Sequence, residues 1–210
     1  GILTTACTPQ YATFVPDYDA TSVARLKDAG AIVLGKTVTT EFASGDPSPT
    51  INPWHPEHTP GGSSSGSAVA VASRMCPAAL GSQTVGSTLR PAAYNGIVGL
   101  KPTYGRISTY GIVPLAWSTD TVGILTRSVQ DAAIMLQTMA GYDANDPNCS
   151  TALLDDYVSA VKEPARPPRI GVLRELFYDQ AQENVRLHTD DVVDLLRQAG
   201  AVILEVKLPA

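Results

Sequence analysis

The chain has 210 residues, 44% of them hydrophobic, and a formal net charge of -5 at pH 7. That hydrophobic share supports a sizeable core and excludes a disordered chain. Mild acidity without a Lys/Arg run excludes a general attraction to nucleic acid, and apolar runs such as 68–72 and 201–204 are too short to cross a bilayer.

Residues 19–29 read as a helix. Asp19 can cap it, Val23, Leu26 and Ala29 recur at helical spacing, and Gly30 can end it in a left-handed conformation. Residues 31–34 follow as a short buried strand, and 37–43 as a short helix. The loop 46–62 carries Pro47, Pro49, Pro53, Pro56 and Pro60. Residues 65–74 suit a tightly packed helix of small side chains, and 78–84 the next strand. Ser128 caps a helix that runs through Met139, with Asp131 in the place of a capping-box Glu. Pro164, Pro167 and Pro168 mark a linker near 162–169, followed by a strand at 170–173. Helix 185–199, Gly200 and strand 201–204 repeat the earlier helix–Gly–strand grammar. The alternation predicts an α/β fold, a mixed β-sheet core flanked by helices.

Three cysteines, Cys7, Cys76 and Cys149, form no C-x-x-C pair. An odd count argues for free thiols in a reducing compartment, so a cytoplasmic location is expected. Gly1 begins without Met, and an apolar run closes on Leu208, Pro209 and Ala210. The expectation is a segment cut at both ends.

The densest chemical signal lies between Gly61 and Pro91. Gly61 and Gly66 have phosphate-loop separation, but Ser67 and Ala68 stand where Lys and Ser/Thr belong. Gly62-Ser63-Ser64-Ser65-Gly66 fits G-x-S-x-G, yet His58-Thr59-Pro60 cannot be the strand that a nucleophile elbow needs. A third reading joins this loop to Gly81-Ser82-Gln83-Thr84-Val85-Gly86-Ser87. Ser87 then sits at a strand-to-helix junction where backbone N–H groups can hold an oxyanion, and the loop hydroxyls can relay its proton.

On these residues the chain resembles the amidase signature family. The resemblance runs in order through Asp19-Ala20, Ala29-Gly30-Ala31, Gly35-Lys36-Thr37, Glu41-Phe42-Ala43 and Asn52-Pro53-Trp54. It continues through the 61–67 loop, Gly99-Leu100-Lys101-Pro102-Thr103 and Thr121-Val122-Gly123. It implies residues 1–210 as part of a single amidase domain and a Ser–Ser–Lys triad. Ser87 matches the acylated serine and Ser63 the bridging serine after a cis peptide bond. Thr84, Val85 and Gly86 match the oxyanion and substrate-binding backbone, and Ala43 a position lining the acyl site. The family lysine is expected upstream of Gly1, so the role passes to none of Lys27, Lys36, Lys101, Lys162 or Lys207. Gln83 stands where the family usually has an acid, Val85 replaces a common glycine, and Arg90 follows Ser87 by three positions instead of two.

Other signals have plainer readings. Ser64, Ser65 and Ser67 suit turn residues, Cys76 a core position, and His188 a partly buried helix position. His55 and His58 suit a solvated loop and no metal is expected. The resemblance implies hydrolysis of a carboxamide C–N bond through a seryl acyl-enzyme, with no cofactor and a small-molecule amide as partner. No nucleic acid or membrane partner is expected, and a homo-oligomer is possible. The alternatives are a glutaminase-type component of a tRNA-dependent amidotransferase, and an inactive homologue serving as a binding module. These 210 residues alone are expected to be inactive.

Overall fold

A computed structural model describes residues 1–45, 47–163 and 166–208. Asp46 of the proline-rich loop, Pro164 and Ala165 of the linker, and Pro209 and Ala210 of the closing run lie outside the described residues. The chain forms two compact units, Gly1–Lys162 and Glu163–Ala210.

In the first unit, helix α1 spans Thr21–Asp28 and α2 Ser65–Ala72. Strand β1 follows at Ala78–Gln83, then α3 at Leu89–Asn95, β2 at Val98–Leu100 and β3 at Thr121–Thr126. Helices α4, Val129–Met139, and α5, Tyr157–Ala160, complete it. The strands form an antiparallel sheet in the order β1-β3-β2, so β3 is central and all six of its residues are buried. Side chains alternate across a strand. Val122 and Ile124 accordingly join Ala132, Leu136 and Met139 of α4 in one core, while Leu125 joins Ala68, Val71 and Ala92 of α2 and α3 in another. The result is one sheet between two helical layers.

The face toward α2 and α3 is nearly bare. Gly81 and Gly123 lie opposite each other in the β1–β3 ladder, and Gly99 is on β2. A Cβ on Gly81 would stand 2.6 Å from Ser64 Oγ, and one on Gly123 2.0 Å from Thr88 Oγ1. These glycines let the loop before α2 and the turn before α3 rest directly on the sheet backbone. Pro91 is tolerated in α3 because it falls in the first turn, whose N–H groups have no intrahelical acceptor.

The second unit pairs β4, Arg169–Leu173, in parallel with β5, Val202–Val206. Between them in sequence lie α6, Phe177–Gln180, and α7, Glu183–Gln198. Arg174 bonds Asp190 at 2.7 Å and Glu205 at 3.1 Å, and the Tyr178 hydroxyl donates to Asp190 at 2.6 Å.

Four sequence expectations change. Asp19 does not cap α1. Ala20 occupies the cap position, and the Asp19 carboxylate instead accepts from Lys27 Nζ at 2.6 Å. Residues 31–34 form no strand, and Ile32 and Leu34 are 85% and 73% exposed. An apolar run becomes a strand only where a neighbour takes its backbone hydrogen bonds, and among the described residues none pairs with it. Residues 37–40 form no helix, and only Glu41–Ala43 makes a 3-10 turn. The serine loop claims that backbone: Gly66 N–H donates to Val38 O at 2.8 Å and Thr40 N–H to Ser63 O at 3.1 Å. His188 is exposed on α7, where Val193 is the buried residue.

Candidate active site

The loop 61–67 enters α2 through a cis Gly62–Ser63 peptide. Most of its hydroxyls are spent on holding the fold. Ser64 Oγ accepts from Ser82 N–H at 3.2 Å, Ser67 Oγ donates to Leu80 O at 2.7 Å, and Ser65 Oγ donates to Ser63 O at 3.4 Å. Ser64 does not fit an elbow nucleophile either, since among the described residues no strand enters the loop. The Ser63 carbonyl accepts from Thr40 N–H and, at 2.7 Å, from Thr39 Oγ1. Its hydroxyl differs from the others. Ser63 is 1% exposed, and among the described residues Ser63 Oγ has no hydrogen-bond partner. A buried hydroxyl left unpaired costs about 1–3 kcal/mol, so a purely structural serine would be expected to point elsewhere.

Ser87 lies in the turn between β1 and α3, half-buried beside an open surface where Val85 is 90% exposed. The two segments are tied backbone to backbone, with Ser64 N–H donating to Ser87 O at 3.1 Å. They are tied again by Arg90, whose Nε and Nη2 both donate to Gly62 O, at 3.0 and 2.7 Å. Among the described residues, no acceptor in the chain takes the N–H groups of Val85, Gly86 or Ser87. Three consecutive free donors beside a serine hydroxyl suit the negative oxygen of a tetrahedral intermediate.

Three side chains hold this turn. Thr84 Oγ1 donates to Asp120 Oδ1, and Asp120 Oδ2 accepts from the N–H groups of Leu115 and Ala116 at 2.7 and 2.9 Å. The third is Gln83, 3% exposed, whose Oε1 accepts from Thr88 N–H at 2.8 Å and Leu89 N–H at 2.9 Å. Its Nε2 donates to Val85 O at 3.0 Å. Thr88 Oγ1, fully buried against Gly123, has no partner among the described residues.

Ala43 comes from a different segment. It adopts φ +57° and lines a small depression with Ser82, Asp120 and Thr121. A cleft of about 200 Å³ opens between Thr40, Gly62, Arg90 and Tyr94. Among the described residues, no lysine hydrogen-bonds to Ser63 or Ser87. Lys27 bonds Asp19, Lys101 bonds Pro102 O, and Lys36 bonds Thr4 Oγ1. Partial burial pushes the Lys36 amine below its ordinary value, against the pull of Asp19. His55 and His58 are exposed on their loop, with ring centroids 4.5 Å apart.

The family model described as amidase matches residues 1–210. The chain belongs to the amidase family. Among curated amidase-family relatives, the A-type component of the glutamyl-tRNA(Gln) amidotransferase of Roseiflexus castenholzii is 46% identical, over 100% of this chain and 44% of the relative. Its counterpart from Desulfatibacillum aliphaticivorans is 43% identical over the same shares. Of solved structures, the corresponding amidotransferase component of Thermotoga maritima superposes with a TM-score of 0.92 at 38% identity, over 100% of this chain and 47% of its own. The native peptide amidase of Stenotrophomonas maltophilia superposes with a TM-score of 0.86 at 41% identity, over 99% and 45%. The chain thus spans about half the length of the relatives it matches, and the α/β fold is that of the amidases.

Ser63 and the turn from Thr84 to Ser87 lie on two segments that the Ser64 N–H to Ser87 O bond and the Arg90 bonds to Gly62 O hold together. Sequence reasoning missed Asp120, Thr39 and the bracing roles of Gln83 and Arg90. Gln83 and Arg90 were visible only as departures from the family pattern. Asp120, a lone acid before an apolar strand, carried a faint signal.

Proposed function

We propose that this chain carries the nucleophile, the bridging serine and the oxyanion turn of an enzyme that hydrolyses carboxamide C–N bonds. The observation that carries the reading is Ser63 Oγ. It is buried and, among the described residues, unpartnered, in a loop whose backbone is bonded to Ser87. Ser87 Oγ attacks the amide carbonyl carbon, and its proton passes through Ser63 to a general base. A serine hydroxyl is a weak nucleophile until a base takes that proton. The base in this reading is the family's lysine, which these 210 residues do not supply. The N–H groups of Val85, Gly86 and Ser87 hold the negative oxygen. The C–N bond then breaks, the departing nitrogen takes the proton, and water hydrolyses the ester on Ser87. Free thiols at Cys7, Cys76 and Cys149 agree with a cytoplasmic enzyme.

The test uses the full-length protein in an ammonia-release screen of aliphatic, aromatic, peptide and urea-type amides. Ser87→Ala is expected to lower kcat by roughly 10⁴–10⁶ while leaving the urea unfolding midpoint in place. Turnover within tenfold of the unmodified protein overturns the assignment.

A second reading is favoured by the names of the curated relatives: an amidotransferase component that releases ammonia from glutamine for a partner protein. Ammonia release confined to glutamine, with a second protein co-purifying, selects it. Release from peptide or simple amides by the protein alone selects the free-standing amidase.

A further inference from the structure

We propose that the side chain of Val85 determines specificity on the acyl side of the site, so that the enzyme takes amides whose acyl chain is unbranched at the carbon next to the carbonyl. The inference rests on the reading of Ser87 as nucleophile and adds the class of acyl group. Val85 is 90% exposed, so its isopropyl group stands out from the surface. Its carbonyl faces the other way and accepts from the buried Gln83 Nε2 at 3.0 Å. Among the described residues only Gly62–Ser63 is cis, and in a trans peptide the N–H points opposite to the C=O. Gly86 N–H therefore faces the same open side as the isopropyl group, and among the described residues no acceptor in the chain takes it. An oxygen held on that donor has the two methyl groups of Val85 beside it. Branching at Cβ restricts χ1, so those methyl groups keep their place. The Gly86 flank of the donor is open by contrast, since a Cβ built there would meet only Arg90 Cβ, at 4.0 Å.

The tetrahedral carbon bears the departing nitrogen and the acyl chain besides its two oxygens. The nitrogen faces Ser63, because the proton that Ser87 gives up through that hydroxyl is the one the nitrogen takes. The serine loop meets the turn at the Ser87 end, through Ser64 N–H to Ser87 O and Arg90 to Gly62 O. Asp120 meets it at the Thr84 end, and the depression lined by Ala43, Ser82 and Thr121 includes Asp120. An acyl chain directed away from Ser63 and toward that depression passes Val85. A straight chain turns only hydrogens toward the methyl groups. A second carbon substituent at that position has to occupy the space they hold, and the overlap is relieved by lifting the oxygen off Gly86 N–H.

The experiment pairs the best amide from the screen above with its α-methyl analogue in the full-length protein and reads the ratio of their kcat/KM values. The unbranched amide is expected to be preferred by about tenfold or more, the scale on which a site discriminates one added carbon. Val85→Ala is expected to narrow that preference by about threefold or more, and Val85→Ile to widen it. Each variant serves as its own reference, so general damage to the turn slows both amides and leaves the ratio in place. A ratio that neither variant moves, or that both move in the same direction, overturns the proposal. So does an unmodified protein without the preference, or a best amide in which that carbon is branched, aromatic or absent. The N-methyl amide of the same acid, followed by methylamine release, tests the side. If Val85→Ala relieves discrimination against the N-methyl group and not against the α-methyl group, Val85 faces the departing nitrogen and the proposal falls. Ser87→Ala in the same assay separates the two claims. If Ser87→Ala is inactive and the Val85 variants leave the ratio unmoved, only the role of Val85 falls. If Ser87→Ala stays active, the active-site reading falls with it.

Discussion

Asp143 is 8% exposed, and burial alone would raise its pKa. Its hydrogen bonds reverse the sign. Oδ2 accepts from Ser108 Oγ at 2.6 Å and Thr21 Oγ1 at 2.5 Å, and Oδ1 accepts from Asn145 N–H and Nδ2 at 2.9 and 3.0 Å. The net effect is a carboxyl held down at about 2. Its folded value lies below the unfolded one of ~3.9, so its contribution to stability is full above about pH 4 and is lost as pH falls through about 2. The urea unfolding midpoint is expected to drop between pH 4 and pH 2, and Asp143→Asn to flatten that drop. Equal slopes for the two proteins would show that the acid sensitivity lies elsewhere. The bonds matter beyond the charge, because Thr21 begins α1 and Asp143 thereby ties that helix to the segment after α4.

The bare face of the sheet makes β1 and β3 structural determinants of the site. Gly123→Ala would put a methyl group 2.0 Å from Thr88 Oγ1 and 2.7 Å from its Cγ2, inside a buried β-branched side chain with no room to swing. Overpacking of this kind costs typically ~1–3 kcal/mol. Gly123→Ala is expected to lower the urea midpoint accordingly and to reduce kcat by displacing the turn that begins α3. An unchanged midpoint and kcat would mean that Thr88 and its turn can shift freely. Strand β3 also shows what the sequence hides. It is buried on both faces, so it lacks the polar–apolar alternation that reveals a strand, and a glycine interrupts it. Helices α4 and α7 were legible because Ser128 and Gly200 mark an end of each and their apolar spacing is helical. The apolar run 31–34 misled because local pattern carries no information about whether a partner strand is present. At the site, Ser63 and Ser87 were legible through their joint pattern. The role of Gln83 was not, since it consists of bonds to backbone groups that any residue would offer.

Taken alone, these 210 residues are expected to hydrolyse no amide at a useful rate. No lysine among the described residues hydrogen-bonds to either serine, and general-base help contributes typically ~10²–10⁴-fold. Ile2, Leu3, Phe14, Ile32 and Leu34 are all exposed, so self-association visible by light scattering is expected as well. The check is to assay this segment beside the full-length protein with the same amide. Comparable turnover, abolished by Lys36→Ala, would show that Lys36 is the base after all. The paired glycines of β1 and β3 offer something further when other sequences are compared. Serines are common in loops and reveal little by their presence. A chain with bulky residues at the counterparts of Gly81 and Gly123 could not seat a serine loop and a seryl turn on one plane, however many serines it kept. Those two positions would therefore help to sort competent homologues from lapsed ones among chains that keep the nucleophile.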